Sequence, residues 1–187
     1  MVPKMVTEIA DGRRRKGERR RHLLIDATMR VIERSGVAAV SQRAVAQEAG
    51  VPPSAVTYYF PTVDDLLVAA LVACNDACLR DIDECVRVDD PLARLAALIA
   101  DVHVANRART AAEYELLLMA GRRPDLQREV ERWNAAIDAL LTPHVPDPVR
   151  RAGVAAAVDG LFLRVFCAPD RPDPSELRAV LDRLVHG

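Results

Sequence analysis

The chain has 187 residues, half of them hydrophobic and 28% charged, a balance that fits a folded protein of one or two domains and excludes general disorder. Its longest uncharged run, Ala49–Val63, is 15 residues long and holds three prolines, so nothing supplies the ~20 apolar residues of a membrane span. Net charge is −1 but unevenly divided: residues 1–63 carry 11 basic and 6 acidic side chains, residues 64–187 carry 15 and 21.

Seven of those 11 basic residues crowd into Arg13, Arg14, Arg15, Lys16, Arg19, Arg20 and Arg21. Such a run reads either as a solvated tail or as an end that faces nucleic acid. Residues 1–16 are expected to be a disordered basic arm. No apolar signal segment opens the chain, so a cytoplasmic location is expected, with the four cysteines as free thiols.

Past the arm every strong period is helical. Leu24, Ala27, Thr28, Val31 and Ile32 form an apolar stripe that ends at Gly36. A short helix follows, with Ser41 as N-cap and Gly50 as its stop. Pro53 suits the first position of another short helix carrying Val56, Tyr59 and Phe60, with Phe60 in the core. Thr62, with Asp65 three residues on, resembles a capping box opening a long helix. On that helix Leu67, Leu71, Cys74, Cys78, Ile82 and Cys85 share a face. Asp90-Pro91 opens the next, with Leu92, Leu95, Ile99 and Val102 inward. Residues 110–141 read as two helices punctuated at Gly121 and Pro124. Two more, 149–167 and 174–185, follow proline-rich connections, the last with Leu177, Val180, Leu181 and Leu184 on one side. The expected fold is all-α, with about nine helices: a helix-turn-helix unit over 17–63 and a helical body over 64–187.

Residues 41–60, SQRAVAQEAGVPPSAVTYYF, meet the local demands of a helix-turn-helix. Ala46 is small where two helices cross, Gly50 tolerates positive φ in the turn, and Val45, Val51 and Val56 fill the space between. Beside a basic arm, the pattern points to DNA binding.

The segment VAQEAGVPPSAVTYYFPTVDDLLVAAL resembles the signature of the tetracycline-repressor (TetR) family of bacterial regulators, with a specific match over residues 20–72. The resemblance implies a two-fold dimer whose first three helices bind an operator in double-stranded DNA, while the later helices bind a small-molecule effector and pair the subunits. It implies phosphate contacts by Ser41 and Gln42, and a base-edge contact by Arg43, since arginine can bind guanine in a bidentate way. Pro53, Ser54, Ala55 and Thr57 match the exposed face of the recognition helix; Tyr58, Tyr59 and Thr62 match a phosphate-contacting cluster, and Arg19 joins the DNA-facing set. The sequence departs from the family pattern at Val63, where lysine is common, at Pro52, which cannot cap with a side chain, and at Thr57, where tyrosine is common.

For the body, the resemblance implies a ligand site among helices four to seven. Only Tyr114, Trp133, Phe162 and Phe166 are aromatic there, so an aliphatic cavity is expected rather than a cage for cationic drugs. Its candidate lining is Cys74, Cys78, His103, Tyr114, Met119 and Trp133. The Cys74/Cys78/Cys85 face reads as core or as a thiolate sensor. The last two helices match the family's dimerisation pair, with Leu161, Phe162, Val165, Leu177 and Leu181 near the two-fold axis. No metal-ligand spacing, phosphate loop or nucleophile motif occurs, so neither metal nor cofactor is expected and a regulator is favoured over an enzyme. Two alternatives stay open: a DNA-binding protein that needs no ligand, and an all-α enzyme carrying a DNA module.

Overall fold

The computed structural model describes the backbone of residues 3–102, 107–123 and 126–187, and their side chains from residue 14 onward apart from 107–109. The described residues form nine α-helices and one 3-10 turn, with no strand. Contacts divide the chain into two compact units, residues 1–71 and 72–187.

The first unit begins with α1 (Pro3–Ser35), passes a 3-10 turn at Val37–Ala39, and continues through α2 (Gln42–Ala49) and α3 (Pro53–Tyr59). Helix α4 (Val63–Val86) contributes its residues up to Leu71. Where a disordered arm was expected, helix α1 runs back to Pro3. Pro3 is tolerated in a first turn, and no proline interrupts the next 32 residues of the helix. The basic run is therefore a helical extension. The stripe read from the sequence is buried throughout, from Leu24 to Ile32, and the hydroxyl of Thr28 donates to the Leu24 carbonyl at 2.8 Å. Gly36, at φ 79°, lets the chain leave α1 in a conformation that a Cβ would resist.

One tertiary tie in this unit had no local signal. Arg30 and Arg34 of α1 both grip the Glu48 carboxylate of α2, at 2.7 and 2.8 Å. These two hydrogen bonds hold the Glu48 carboxyl below the ordinary glutamate range. A depressed carboxyl contributes stability above its unfolded pKa and loses it as pH falls through the folded one. Glu48→Gln should therefore lower the melting temperature at neutral pH and flatten the acid limb of a stability–pH curve. Parallel acid limbs for mutant and wild type would show that the clamp contributes nothing.

The second unit holds the rest of α4 with α5 (Pro91–Asp101), α6 (Arg107–Ala120), α7 (Gln127–Leu141), α8 (Pro148–Cys167) and α9 (Pro174–His186). Three of these helices open with the same device, an aspartate cap before a proline. Asp90, Asp147 and Asp173 accept from the backbone N–H groups of Ala93, Arg150 and Ser175 at 3.0, 2.7 and 2.8 Å. Proline fits the first helical position because its missing N–H would have no partner there. The core gathers Ile82 and Cys85 of α4, Leu95 and Ile99 of α5, Leu141 of α7, Val158 of α8 and Leu181 of α9. Asn75 and Asp76 of α4 are tied to α7: Asn75 donates to the Glu129 carboxylate at 2.9 Å, and Arg132 bridges Glu129 and Asp76 at 2.7 and 2.6 Å. Arg178 of α9 pairs with Asp182 on its own helix and with Asp90 at the start of α5.

The dimer residues named from the sequence divide by exposure. Val165, Leu177 and Leu181 are buried inside the chain's own core, and Leu161 and Phe162 pack against it. Leu181, with no exposed surface, has none to bury against a partner, and Val165 and Leu177 have little. Val180, expected inward, is exposed, and Val185 takes the inward place. The outward side of α8 carries Val149, Ala152, Gly153, Ala156, Gly160 and Leu163, all exposed. A Cβ added at Gly153 or Gly160 would meet nothing within 4 Å.

Candidate DNA interface

Local chemistry builds the α2–turn–α3 unit. Ser41 is extended, at φ −146°, and its hydroxyl accepts the Ala44 N–H at 3.1 Å, capping α2. Gly50 closes that helix in the left-handed region, at φ 63°. The Val51 N–H then reaches back to the Ala46 carbonyl at 2.9 Å, the longer bond of a Schellman-type end. Val45, Ala46 and Val56 are buried, as the helix crossing requires. Pro53 takes the first position of α3, and Pro52 gives no side-chain cap.

The outer side of this unit carries most of the residues expected to meet DNA. Arg19, Ser41, Arg43, Pro53, Ser54, Thr57, Tyr58 and Thr62 are exposed; Gln42, Ala55 and Tyr59 are half-buried. Tyr58 is 80% exposed, an unusual position for so much apolar surface, and its ring stands edge-on to Tyr59 at 5.0 Å. Tyr59 leans towards α1, where a Cβ at Gly17 would lie 3.9 Å from its hydroxyl. The Arg21 guanidinium sits 5.1 Å from the centre of the Phe60 ring, and Phe60 is buried. Part of the basic run is thus fixed beside the end of α3.

Three side chains are already engaged. Gln42 donates both amide hydrogens, to the carbonyls of Phe60 and Pro61 at 3.0 and 2.7 Å. With no hydrogen left for a phosphate, this side chain ties the start of α2 to the end of α3. The hydroxyl of Thr62 donates to Asp65 Oδ2 at 2.7 Å and accepts the Asp65 N–H at 3.1 Å. The Thr62 N–H donates to the same carboxylate at 2.9 Å, so the residue is the cap of α4. Thr57 donates to the Pro53 carbonyl at 3.0 Å, leaving its oxygen as an acceptor for a base amino group and its methyl for thymine. Arg43 has no side-chain partner among the described residues and is free to reach a base edge.

In the second unit, the ligand candidates fall into separate places. Cys74 is buried and Cys78 half-buried on α4, and Met119 is half-buried on α6. Tyr114 and Trp133 both meet aromatic rings of α8; His103 lies outside the described residues. Cys85 is buried and donates to the Asp81 carbonyl at 3.2 Å; burial pushes its thiol pKa up, against thiolate chemistry there. Among the described residues no group of His, Cys, Asp or Glu could hold a metal ion. No described helix is long and apolar enough to cross a membrane.

Residues 24–70 match the family description for bacterial regulatory proteins of the tetR family, and residues 86–187 match a tetracyclin repressor-like C-terminal domain. The nicotine-responsive transcriptional repressor HdnoR of Paenarthrobacter nicotinovorans is 30% identical over 185 residues, spanning 88% of this chain and 95% of that protein. The multidrug binding protein EbrR, solved with imidazole, is 35% identical, with a TM-score of 0.73 over 90% of this chain and 96% of its own. EbrR has also been solved with ethidium and with malachite green. A TetR-family member from Streptomyces coelicolor A3 is 35% identical, with a TM-score of 0.77 over 90% of this chain and 99% of that one. Relatives in this group are transcriptional regulators rather than enzymes. With its helix-turn-helix, its helical second unit and these likenesses along nearly its whole length, the chain belongs to the tetracycline-repressor family of ligand-responsive, DNA-binding transcriptional regulators, which act as homodimers.

Proposed function

We propose that this protein is a cytoplasmic repressor that occupies a palindromic operator and leaves it when a small organic molecule binds the second unit. The exposed side of α2 and α3 carries the reading: Arg43, Ser54, Thr57 and Tyr58 stand clear of the core. Arg43 would read a base edge, while Tyr58 and the arginines of α1 would hold phosphates. The exposed stripe of α8, Val149 to Leu163, with Val180 of α9, would form the dimer face, where small residues let helices approach closely. Two subunits then present recognition helices one helical turn of DNA apart, about 34 Å. Ligand would favour a second conformation in which that spacing is lost, a population shift rather than a direct block. Helix α4 is the proposed carrier, since it contributes residues to both units. HdnoR's response to nicotine and EbrR's bound dyes support an organic effector.

The test is binding to sites selected from random duplexes, followed across salt concentrations. A two-fold symmetric site with half-sites one turn apart is expected. Deleting residues 1–16 should weaken binding to all sequences alike and lower the log–log salt slope by ~0.9 per lost phosphate contact. Selection of asymmetric or random sequences would refute the operator reading, and an unchanged slope would remove this basic segment from the interface.

A further inference from the structure

The four aromatic residues of the second unit meet as two pairs on α8, and an acid is bonded to one of them. Asp159, Phe162 and Phe166 follow one another on α8 at spacings of three and four, which places them along one flank of the helix. Trp133 of α7 meets Phe162 edge-on, with ring centroids 5.8 Å apart. Tyr114 of α6 meets Phe166, tilted, at 5.4 Å. The Trp133 indole N–H donates to Asp159 Oδ1 at 2.9 Å, which turns the tryptophan towards the carboxylate.

Asp159 differs from five other aspartates of this unit. Asp76, Asp90, Asp101, Asp138 and Asp182 each pair with an arginine, whereas no cationic side chain pairs with Asp159 among the described residues. The residue is exposed, so a solute can reach it, yet the surrounding surface withholds water from its carboxyl and raises its pKa. Tyr114 responds in the same way: burial, and then the negative charge of Asp159, push its pKa up to about 12, so it stays a neutral ring. An unpaired negative charge among electron-rich ring faces attracts an organic cation, whose charge meets the carboxylate while its alkyl groups meet the rings.

We propose that Asp159, Trp133 and Phe162, with Tyr114 and Phe166 alongside, bind an organic ammonium cation. This rests on the reading of the protein as a ligand-responsive regulator and names the chemical class of its effector. A bound cation would supply the opposite charge that the carboxylate lacks in the free protein. An uncharged aromatic ligand would gain the ring contacts but leave Asp159 unpaired.

Trp133 is the only tryptophan in the chain, so its fluorescence reports on this site alone. The probes are benzyltrimethylammonium and neopentylbenzene, which share a shape and differ in charge. Titrated into the full-length protein, the cation should quench Trp133 saturably and bind about tenfold more tightly than its neutral isostere, the scale of one or two sheltered cation–π contacts. Asp159→Asn keeps an acceptor for the indole N–H but removes the charge. It should abolish the preference between the two probes and, by relieving a carboxylate held short of water, raise the melting temperature at neutral pH. Phe162→Leu should weaken the cation several-fold. Equal affinity of both probes for the wild type, or a preference that survives Asp159→Asn, would overturn the proposal. Operator binding, measured separately by anisotropy, tests the regulator reading; a Trp133 signal unmoved by either probe sinks the cation site whether or not operator is bound.

Discussion

Replacing Leu181 with glutamate is expected to destroy the second unit rather than split the dimer. Leu181 is fully buried among residues of the same chain. The change removes ~1.5–3 kcal/mol of burial and places an unpaired carboxylate where several more kcal/mol are lost. Against a total stability of ~5–15 kcal/mol that is enough to unfold a marginal domain. Leu163→Glu is the contrasting experiment, because Leu163 is 48% exposed on the outer side of α8. It should leave the helix content intact while halving the mass seen by light scattering and weakening the operator complex. Circular dichroism and scattering on the two mutants separate the outcomes. A folded monomer from Leu181→Glu, or an undiminished dimer from Leu163→Glu, would place the interface elsewhere.

Arg43→Ala carries the second large effect. An exposed arginine with no partner among the described residues keeps its fork free, and a bidentate contact to guanine is worth ~1–3 kcal/mol of discrimination. The mutant should lose operator affinity by that amount and relax preference at one base pair in each half-site. Gln42→Ala should behave differently: it frees the carbonyls of Phe60 and Pro61 and lowers thermal stability with little change in salt slope. If Arg43→Ala weakens every sequence equally, the residue holds a phosphate and another side chain reads the base. Titrations against a series of base-substituted duplexes at one salt concentration decide between these.

The DNA-binding unit was legible because its determinants are local. Ser41 capping Ala44, Gly50 in the turn, Pro53 opening α3 and Thr62 with Asp65 all act within a few residues. Such pairs need only helix geometry to be read. The clamp of Arg30 and Arg34 on Glu48 spans 18 and 14 positions, and the bond from Trp133 to Asp159 spans 26. Charges and rings are plentiful enough that many long-range partners would have served equally well on paper. The faces of α8 failed for another reason. Val158 and Val165 point into the core while Val149 and Leu163 point out, so the helix is apolar on both sides and its pattern names no inward face. A helix that is apolar on both sides defeats a reading based on amphipathicity.

The placement of α9 has a consequence for how the chain matures. Leu177, Leu181 and Val185 belong to the second unit's core, and Arg150 of α8 donates to the Val185 carbonyl at 3.0 Å, near the end of the helix. Through Arg178 the helix also reaches back 88 residues to Asp90. The first unit has all its residues once Leu71 has been synthesised, whereas the second lacks a wall of its core until α9 has followed. At ~5–20 residues per second, that leaves α4, the first of its helices, on the order of ten seconds with Ile82 and Cys85 still without the α9 residues that complete their core. The order of synthesis thus makes the second unit the slower to mature and the one more exposed to aggregation during synthesis, and loss of α9 would leave it permanently in that state.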